Sequence, residues 1–457
     1  MIPSDLKRIV APYSAYVVGG SVRDFLMGRV PCDFDIAVAN DPKTVAKRLA
    51  THFERRVIEL GRENQAVYRV VTPSYSFDLT ALNGICIEDD LKLRDFTINA
   101  MAWEPVSGKI IDPFGGRQDL IPKRLKMVSP TIFSKDPVRL LRAFRIAAQL
   151  GFAIESKTLA AIAHNAPLIL KIAGERIHSE FFGLLENDQA HPYLCQMADN
   201  KLLSALLPEL DVLKGCSQNK HHHYDVLAHT LAAFGHLETL IKEKATRFGP
   251  TARAALIFLD TKRAGLIKCA LLLHDIGKPQ VKTGPSSYSH FYGHEKKGVA
   301  MLVPIAKRLR LSTRENDFIG FMIRNHLRPL MLFLAHQQQK LTRTGFTRFF
   351  SKSDGFTPDL LLHAMADHMG KGPPEDNQDH AFSRFMEQLL ADFEGRFMPL
   401  RSSKPLLNGH DLISVFKLDP SAEFKKLLAL VEQAKRSGQI STRKEALKLI
   451  AERLKAS

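Results

Sequence analysis

Residues 16–39 read YVVGGSVRDFLMGRVPCDFDIAVA, and the first part of the chain is understood through them. The apolar run up to Val18 has the pattern of a strand that enters a turn at Gly19 and Gly20, and the following SVRDFLMG has the length and spacing of a short helix ended by Gly28. A glycine turn at a helix start lets backbone N–H groups come close to a ligand, and the helix dipole favours an anion, so phosphate is the natural guest. The pattern is neither a P-loop nor GxGxxG, and alone it fits many folds. The next residues sharpen it. In DFDIAVA, Phe34, Ile36 and Val38 fall on one face of a strand, while Asp33 and Asp35 fall on the other, roughly 7 Å apart along the chain. Two carboxylates held side by side repel each other unless a cation joins them. Mg²⁺, which takes one or two carboxylates together with substrate phosphates, meets that need. Asp78 in SFDLT repeats the alternation, with Phe77 and Leu79 opposite it. A third carboxylate on a neighbouring strand completes a two-metal site, in which one ion activates an attacking hydroxyl and the other holds a triphosphate. Alternating aspartates on a solvated strand face are the plainer reading, and the glycine turn beside them weighs against it.

The chain has 457 residues, too many for one ordinary core, which predicts roughly two to four domains. No apolar run approaches the roughly 18 residues of a membrane span, and MIPSDLKRIV lacks the apolar segment of a signal peptide. A cytoplasmic protein with no membrane partner is expected. The net charge of +16 points to a polyanionic partner, against the plainer alternative of a basic soluble surface. Cys32, Cys86, Cys195, Cys216 and Cys269 are scattered without CxxC spacing, which argues against disulfides and a cysteine zinc site and predicts reduced packing residues. Nothing in the sequence specifies an oligomeric state.

Up to about Lys126 the chain alternates short strand-like runs (FDIAVA, VYRVV, YSFDLTAL) with turns and one or two helical pieces. From Pro130 onward helical periodicity takes over, as in DPVRLLRAFRIAAQL and STRKEALKLIAERL. The expected plan is therefore a multidomain chain with an α/β head on a long all-α body. Turn-rich LKGCSQNKHHH, TGPSSYS and KGPPEDNQD mark loops or boundaries in the body, and the histidine run 221–223 sits beside a helical pattern.

GGSVRD (19–24), DFDIA (33–37), LRDFTINAMAW (93–103), DPFGG (112–116), DPVRLLRAFRIAAQLGF (136–152) and ERIHSEF (175–181) together resemble, in order, the class II tRNA nucleotidyltransferases, the CCA-adding enzymes and their bacterial poly(A) polymerase relatives. The resemblance implies a polymerase β-like nucleotidyltransferase head that uses Mg²⁺, CTP, ATP or both, and tRNA. It implies that Asp33 and Asp35 hold the catalytic metals with Asp78 as a third carboxylate, and that Gly19, Gly20 and Arg23 cradle the triphosphate. Arg94 then contacts phosphate, with Asp95 and Asn99 near the ribose, where a 2′-hydroxyl is checked; a local Arg94–Asp95 ion pair is the plainer alternative. Arg142 and Arg145 join the nucleotide-binding set. Asp136 and Arg139, three apart on a predicted helix, share a face. A carboxylate accepts from the exocyclic amino group that C and A carry and U and G lack at that position, and a guanidinium donates to ring or carbonyl acceptors. The pair thereby selects C and A without a nucleic-acid template. Three departures stand out: Leu93 replaces an arginine, Lys135 replaces an acid before Asp136, and only 15 residues separate Asp78 from Arg94. That shortness raises the expectation of a partial product, the CC step.

A second constellation follows. VLAHT (226–230), LLLHDIGKP (271–279), FYGHE (291–295), IRNH (323–326) and AMADHMGKG (364–372) occur in order. His229, His274, Asp275 and Asp367 offer a mixed imidazole and carboxylate shell, suited to Mn, Fe, Co, Ni or Zn ions, with Mg²⁺ also considered. The order resembles the HD phosphohydrolase domain, which implies phosphatase and cyclic phosphodiesterase chemistry, with His294 and His326 as further metal or phosphate contacts or as buried histidines bonded to backbone. His410-Asp411 carries no such setting, while KPLLNGHDLISVF and TRKEALKLIAERLK look like the tail of such fused enzymes. The expected division is a head over 1–126, a helical neck over 127–205, an HD domain over 206–400 and a helical tail over 401–457. The leading reading is a nucleotidyltransferase that adds CCA, or its CC or A part, to tRNA 3′ ends. The alternatives are a poly(A) polymerase on RNA 3′ ends and an HD phosphohydrolase with a nucleotide-sensing head.

Overall fold

The computed structural model describes residues 4–61, 66–218, 224–284, 289–372, 377–436 and 439–455. The histidine run 221–223 lies outside the described residues, as do the middles of the turn-rich stretches 283–289 and 371–379. By packing, the chain divides into two units, one taking in the residues up to Leu184 together with Pro192–Leu206, the other Leu185–His191 and the chain from Leu207 on.

The first unit is built on β1 (Ala15–Val18), β2 (Asp33–Val38), β3 (Val57–Leu60), β4 (Val67–Val71), β5 (Ser76–Ala81), β6 (Ala102–Trp103) and β7 (Ile110–Ile111), in the spatial order β3-β4-β5-β2-β1-β6-β7. β2 pairs parallel with β5 and the other neighbours pair antiparallel, so the sheet is mixed. The alternation expected in DFDIAVA and SFDLT is present: Phe34, Ile36, Val38, Phe77 and Leu79 are all buried in one core with Val45 and Leu49 of the helix Pro42–His52. Among the described residues two short strands follow, and the one beyond Pro130 is Ala153–Ile154, which pairs with Arg124–Leu125. The helix Arg139–Leu150 begins three residues after Asp136, whose φ of −143° and ψ of 92° are extended. Asp136 therefore lies in the break before the helix and not on it, because the residue preceding Pro137 is pushed out of the helical region.

The second unit is helical. Its central element, Thr261–Leu273, is buried around most of its circumference, including Ala264, Ile267, Cys269, Leu271 and Leu272. A helix apolar on every side belongs inside a bundle, so the His-Asp pair at its end is delivered to the interior. Val226–Lys242 and Thr357–Met369 pack on it and on each other. Arg263 donates two hydrogen bonds to Asp359, at 2.8 and 2.7 Å, with its guanidinium 4.1 Å from the Phe318 ring centre. Burial pushes the Asp359 carboxyl up and Arg263 pulls it back.

Gly409–Phe416, Ala422–Arg436 and Arg443–Lys455 close on a small core that includes Leu412, Val431 and Ile450. Here Asp411 accepts from the Asn408 N–H at 2.8 Å and from Arg443 at 2.6 Å, so it serves as a helix cap. All five cysteines are free, but only Cys269 is fully buried; Cys32 and Cys86 are exposed and do not pack. Among the described residues no helix is long and apolar enough to cross a membrane.

Because Asp359 has no exposed side-chain surface, Arg263→Ala is expected to strand its charge and lower stability by about 3–5 kcal/mol. A denaturant melt that changes by less than about 1 kcal/mol shows the pair to be dispensable.

Candidate functional site

The first site lies on the face of the sheet opposite the core. The parallel register sets Asp35 directly beside Asp78, and Asp33 precedes on the same face. Gly19, with φ of +76°, forms the turn after β1, and a Cβ there would lie 2.9 Å from Arg94 Nη1 and 3.0 Å from Asp35 Oδ2. The absence of a side chain is what admits the guanidinium and the carboxylate to the turn. Asp35 is open to the cleft, yet desolvation by the surrounding chain, with help from Asp78 and Asp33, pushes its carboxyl above the ordinary range despite the opposing pull of Arg94 and Arg142. A carboxylate that holds its charge with difficulty fits a divalent cation.

A cleft of about 330 Å³ opens here, lined by Gly19, Gly20, Arg23, Asp35, Arg94, Asp95, Asn99, Asp136, Arg139, Arg142 and Arg145. The structure thus brings together eleven of the residues singled out in the sequence. Asp33 and Asp78 are not among the lining residues. Asp33 is exposed at the start of β2, and both Asp78 oxygens accept from Arg69, at 2.7 and 2.6 Å, across the β4–β5 register.

Ion pairs organise the lining. Arg94 is held by Asp90, at 3.1 Å from both Nε and Nη2, and not by its neighbour Asp95. Asp95 instead accepts from Asn99 at 3.0 Å and pairs with Arg142 at 3.0 Å. Arg23 grips Asp24 with two bonds and donates to Asn99 at 2.7 Å. Asp136 is 2.8 Å from Arg176 and 3.9 Å from Arg139, and Arg139 donates to the Leu93 carbonyl at 2.8 Å. The arginine-to-leucine departure at 93 is harmless to this contact, which uses backbone alone. Arg145 pairs with Glu180. Sequence reading missed Arg69, Asp90, Arg176 and Glu180, since nothing local marks which charge meets which.

The second site is in the helical unit. His229 Nε2 is 2.9 Å from Asp367 Oδ1, while His274 Nε2 is 3.1 Å from Asp275 Oδ2 and 3.3 Å from Asp367. His294 Nε2 is 3.3 Å and His326 Nε2 3.8 Å from Asp275 Oδ1. All six predicted residues therefore converge. Nδ1 of His274, His294 and His326 each donates to the carbonyl three residues back, at 2.6, 2.8 and 2.8 Å. These bonds fix the tautomer and aim Nε2 inward, as metal-ligating histidines require. His294 and His326 are thus bonded to backbone through Nδ1, with Nε2 left facing Asp275. His274 Nε2 and both Asp275 oxygens are buried without hydrogen-bond geometry, which fits a group that coordinates an ion.

Burial alone would push His274 down, but the Asp275 and Asp367 carboxylates raise it to about 10. Burial would raise Asp275, but His274 and Lys278, the latter 2.5 Å away, hold it well below the usual range. Gly277 admits the start of the helix His294–Leu309, as a Cβ there would lie 2.2 Å from the His294 carbonyl oxygen. Two residues went unnoticed in the sequence: Lys278, four after His274, and the fully buried His363, whose spacing of four from Asp367 on one helix was the available signal.

Residues 15–126 match the family model for the "Poly A polymerase head domain", 151–214 that for the "Probable RNA and SrmB- binding site of polymerase A", and 226–376 that for the "HD domain". The chain is 29% identical to an A-adding tRNA nucleotidyltransferase of Deinococcus radiodurans, covering 95% of this chain and 94% of that one. It is 29% identical to a CC-adding tRNA nucleotidyltransferase of Thermus thermophilus, over 95% and 92% of the respective chains. A Thermotoga maritima CCA-adding enzyme complexed with tRNA shares the fold, with a TM-score of 0.66 at 19% identity over 98% of this chain and 94% of the other. A multifunctional CCA protein of Nitrosococcus oceani is 31% identical over 79% of this chain and 86% of its own length. On that identity and coverage, with the head and HD models matching in order, the chain belongs to the tRNA nucleotidyltransferase family of CCA-adding enzymes and carries an HD domain.

Proposed function

We propose that this protein is a metal-dependent nucleotidyltransferase that adds all or part of CCA to tRNA 3′ ends from CTP, ATP or both, and that its HD domain hydrolyses phosphate esters. The observation that carries the first part is the single cleft that joins the glycine turn, Asp35 and Arg94 to Asp136, Arg139 and Arg142. The functional division is head 1–126, neck 127–205, HD domain 206–400 and tail 401–457, and the proposed compartment is the cytoplasm.

In the reaction the RNA 3′-hydroxyl oxygen bonds to the α-phosphorus of the nucleotide and gives up its proton to solvent, the bond from that phosphorus to the bridging oxygen breaks, and pyrophosphate leaves. Asp33 and Asp35 would hold Mg²⁺, which would supply Lewis-acid activation of the hydroxyl and neutralise the phosphates. Asp78, with both oxygens on Arg69, steadies the carboxylate row from the next strand. Gly19, whose own N–H is donated to the Met101 carbonyl at 3.3 Å, brings the turn and Nη1 of Arg94 together where the triphosphate would lie, while Asp90 holds Arg94. Arg23, Asn99 and Asp95 form a linked row that presents polar edges to the ribose. Arg176 orients the Asp136 carboxylate toward the base amino group, and Arg139 is held by the Leu93 carbonyl to donate beside it. A carbonyl of U or G facing Asp136 meets a second acceptor and is rejected.

At the HD site, His229, His274, Asp275 and Asp367 would hold one of Mn, Fe, Co, Ni or Zn, or Mg²⁺, which would supply polarisation of a phosphate ester and activation of water. Asp367, with 23% of its side chain exposed, marks the side from which solvent reaches the centre.

Three tRNAs ending at the discriminator base, at C and at CC, extended with CTP, ATP or both and read at single-nucleotide resolution, test the main reading. Products within CCA are expected, and a long A ladder on a non-tRNA substrate replaces it with the poly(A) polymerase. Asp35→Ala should abolish addition while leaving folding and hydrolysis of a cyclic nucleotide intact, and His274→Ala should do the reverse; wild-type addition by the Asp35 variant defeats the assignment. Arg176→Ala should relax selection of C and A over U and G by about tenfold, the loss of one charge-assisted hydrogen bond, as read by competitive incorporation.

A further inference from the structure

We infer that the helical unit holds a separate nucleotide subsite, which takes one amino-bearing base together with its phosphate and shares no lining residue with either site above. The inference stands on its own cavity and goes beyond the function proposed above.

The cavity, of about 180 Å³, lies between the helix Arg343–Ser353 and the turn Phe393–Phe397. An engineered cavity of roughly 150 Å³ takes one benzene ring, so the space admits a single ring and leaves the rest of a ligand at the mouth. Its walls are aromatic. The Phe350 ring centre lies 5.3 Å from that of Phe397 and 6.3 Å from that of Phe346, and Leu341 and Leu400 complete the apolar lining. Such rings offer a base the faces on which it stacks. The turn Phe393–Phe397 is π-helical, a form that occurs frequently at functional positions. It follows directly on the helix Asn377–Asp392, and the junction brings Asp392, Arg396 and Phe397 to the cavity.

Three charges line the same space without neutralising one another. Arg343 and Arg396 are exposed, and among the described residues neither forms an ion pair, with Asp392 or with another carboxylate. Arg343 opens a helix whose first turn holds no acid, so its charge adds to the positive helix end. Two guanidiniums left unpaired at the mouth of an apolar cavity suit a phosphate, whose oxygens accept their fork of donors. Asp392 Oδ1 accepts from Gln388 at 3.2 Å, which leaves Oδ2 to accept from an exocyclic amino group. A cytidine nucleotide supplies ring, amino group and phosphate together. A free nucleotide and an unpaired nucleotide of an RNA strand share that chemistry.

Hydrogen–deuterium exchange of the full chain, read by mass spectrometry, locates binding without relying on activity. CMP is expected to slow exchange in peptides spanning 341–353 and 392–400, separately from any protection in the head. Arg343→Gln and, independently, Arg396→Gln alter exposed side chains, and each should raise the CMP concentration for half-protection of these peptides at least about tenfold while leaving head protection unchanged. A short oligocytidylate separates the two sources: CMP acting alone marks a free-nucleotide site, and protection that needs the oligonucleotide marks an RNA strand. Equal protection by inorganic phosphate, which has no base, overturns the nucleotide assignment. Absence of protection in these peptides with either ligand, or protection that both variants retain in full, overturns the subsite and leaves the proposed function standing.

Discussion

The parallel register of β2 against β5 places Asp35 beside Asp78, and the head is arranged around the like-charge crowding that this pairing imposes. Hydrophobic alternation makes the crowding unavoidable. Phe34, Ile36, Phe77 and Leu79 must be buried on one face, so the aspartates between them must share the other. Arginines arrive from every side to hold the charge: Arg69 from the adjacent strand takes Asp78, and Arg94 and Arg142 act on Asp35. Desolvation, with Asp78 and Asp33 beside it, still leaves the Asp35 carboxyl raised against that pull.

Around this row, the cleft is a chain of pairings in which few groups act alone. Arg142 is bound to Asp95, Asp95 to Asn99, and Asn99 to Arg23. Arg139, Asp136 and Arg176 form a second set, anchored to the backbone at Leu93. Such networks hold long side chains in one geometry before a nucleotide arrives, which reduces the ordering cost of binding. The same linkage makes the effects of single substitutions in the cleft non-additive.

The helical unit reaches its centre by a different route. A helix buried on nearly all sides, Thr261–Leu273, ends in His274-Asp275, and four surrounding helices bring His229, His294, His326 and Asp367 to it. The inward aim of three rings comes from one repeated device, the Nδ1 bond to the carbonyl three residues back, which local helical geometry makes available wherever a histidine closes or opens a helix.

Sequence alone determined the α/β head and helical body, the strands that carry Asp33, Asp35 and Asp78, and most residues of both sites, because strand alternation and helix periodicity are local properties of the chain. The family resemblance supplied their roles. Tertiary structure decided which charges meet. Arg69, Asp90, Arg176 and Glu180 became site residues only when distant segments came together, Arg94 and Asp95 took separate partners, and Asp136 was set in a break ahead of its helix by Pro137. His363 and Lys278 joined the second centre in the same way. The reason is physical: burial pattern is written in neighbouring residues, whereas a pairing between charges depends on distances that exist only after the sheet register and the helix packing are set.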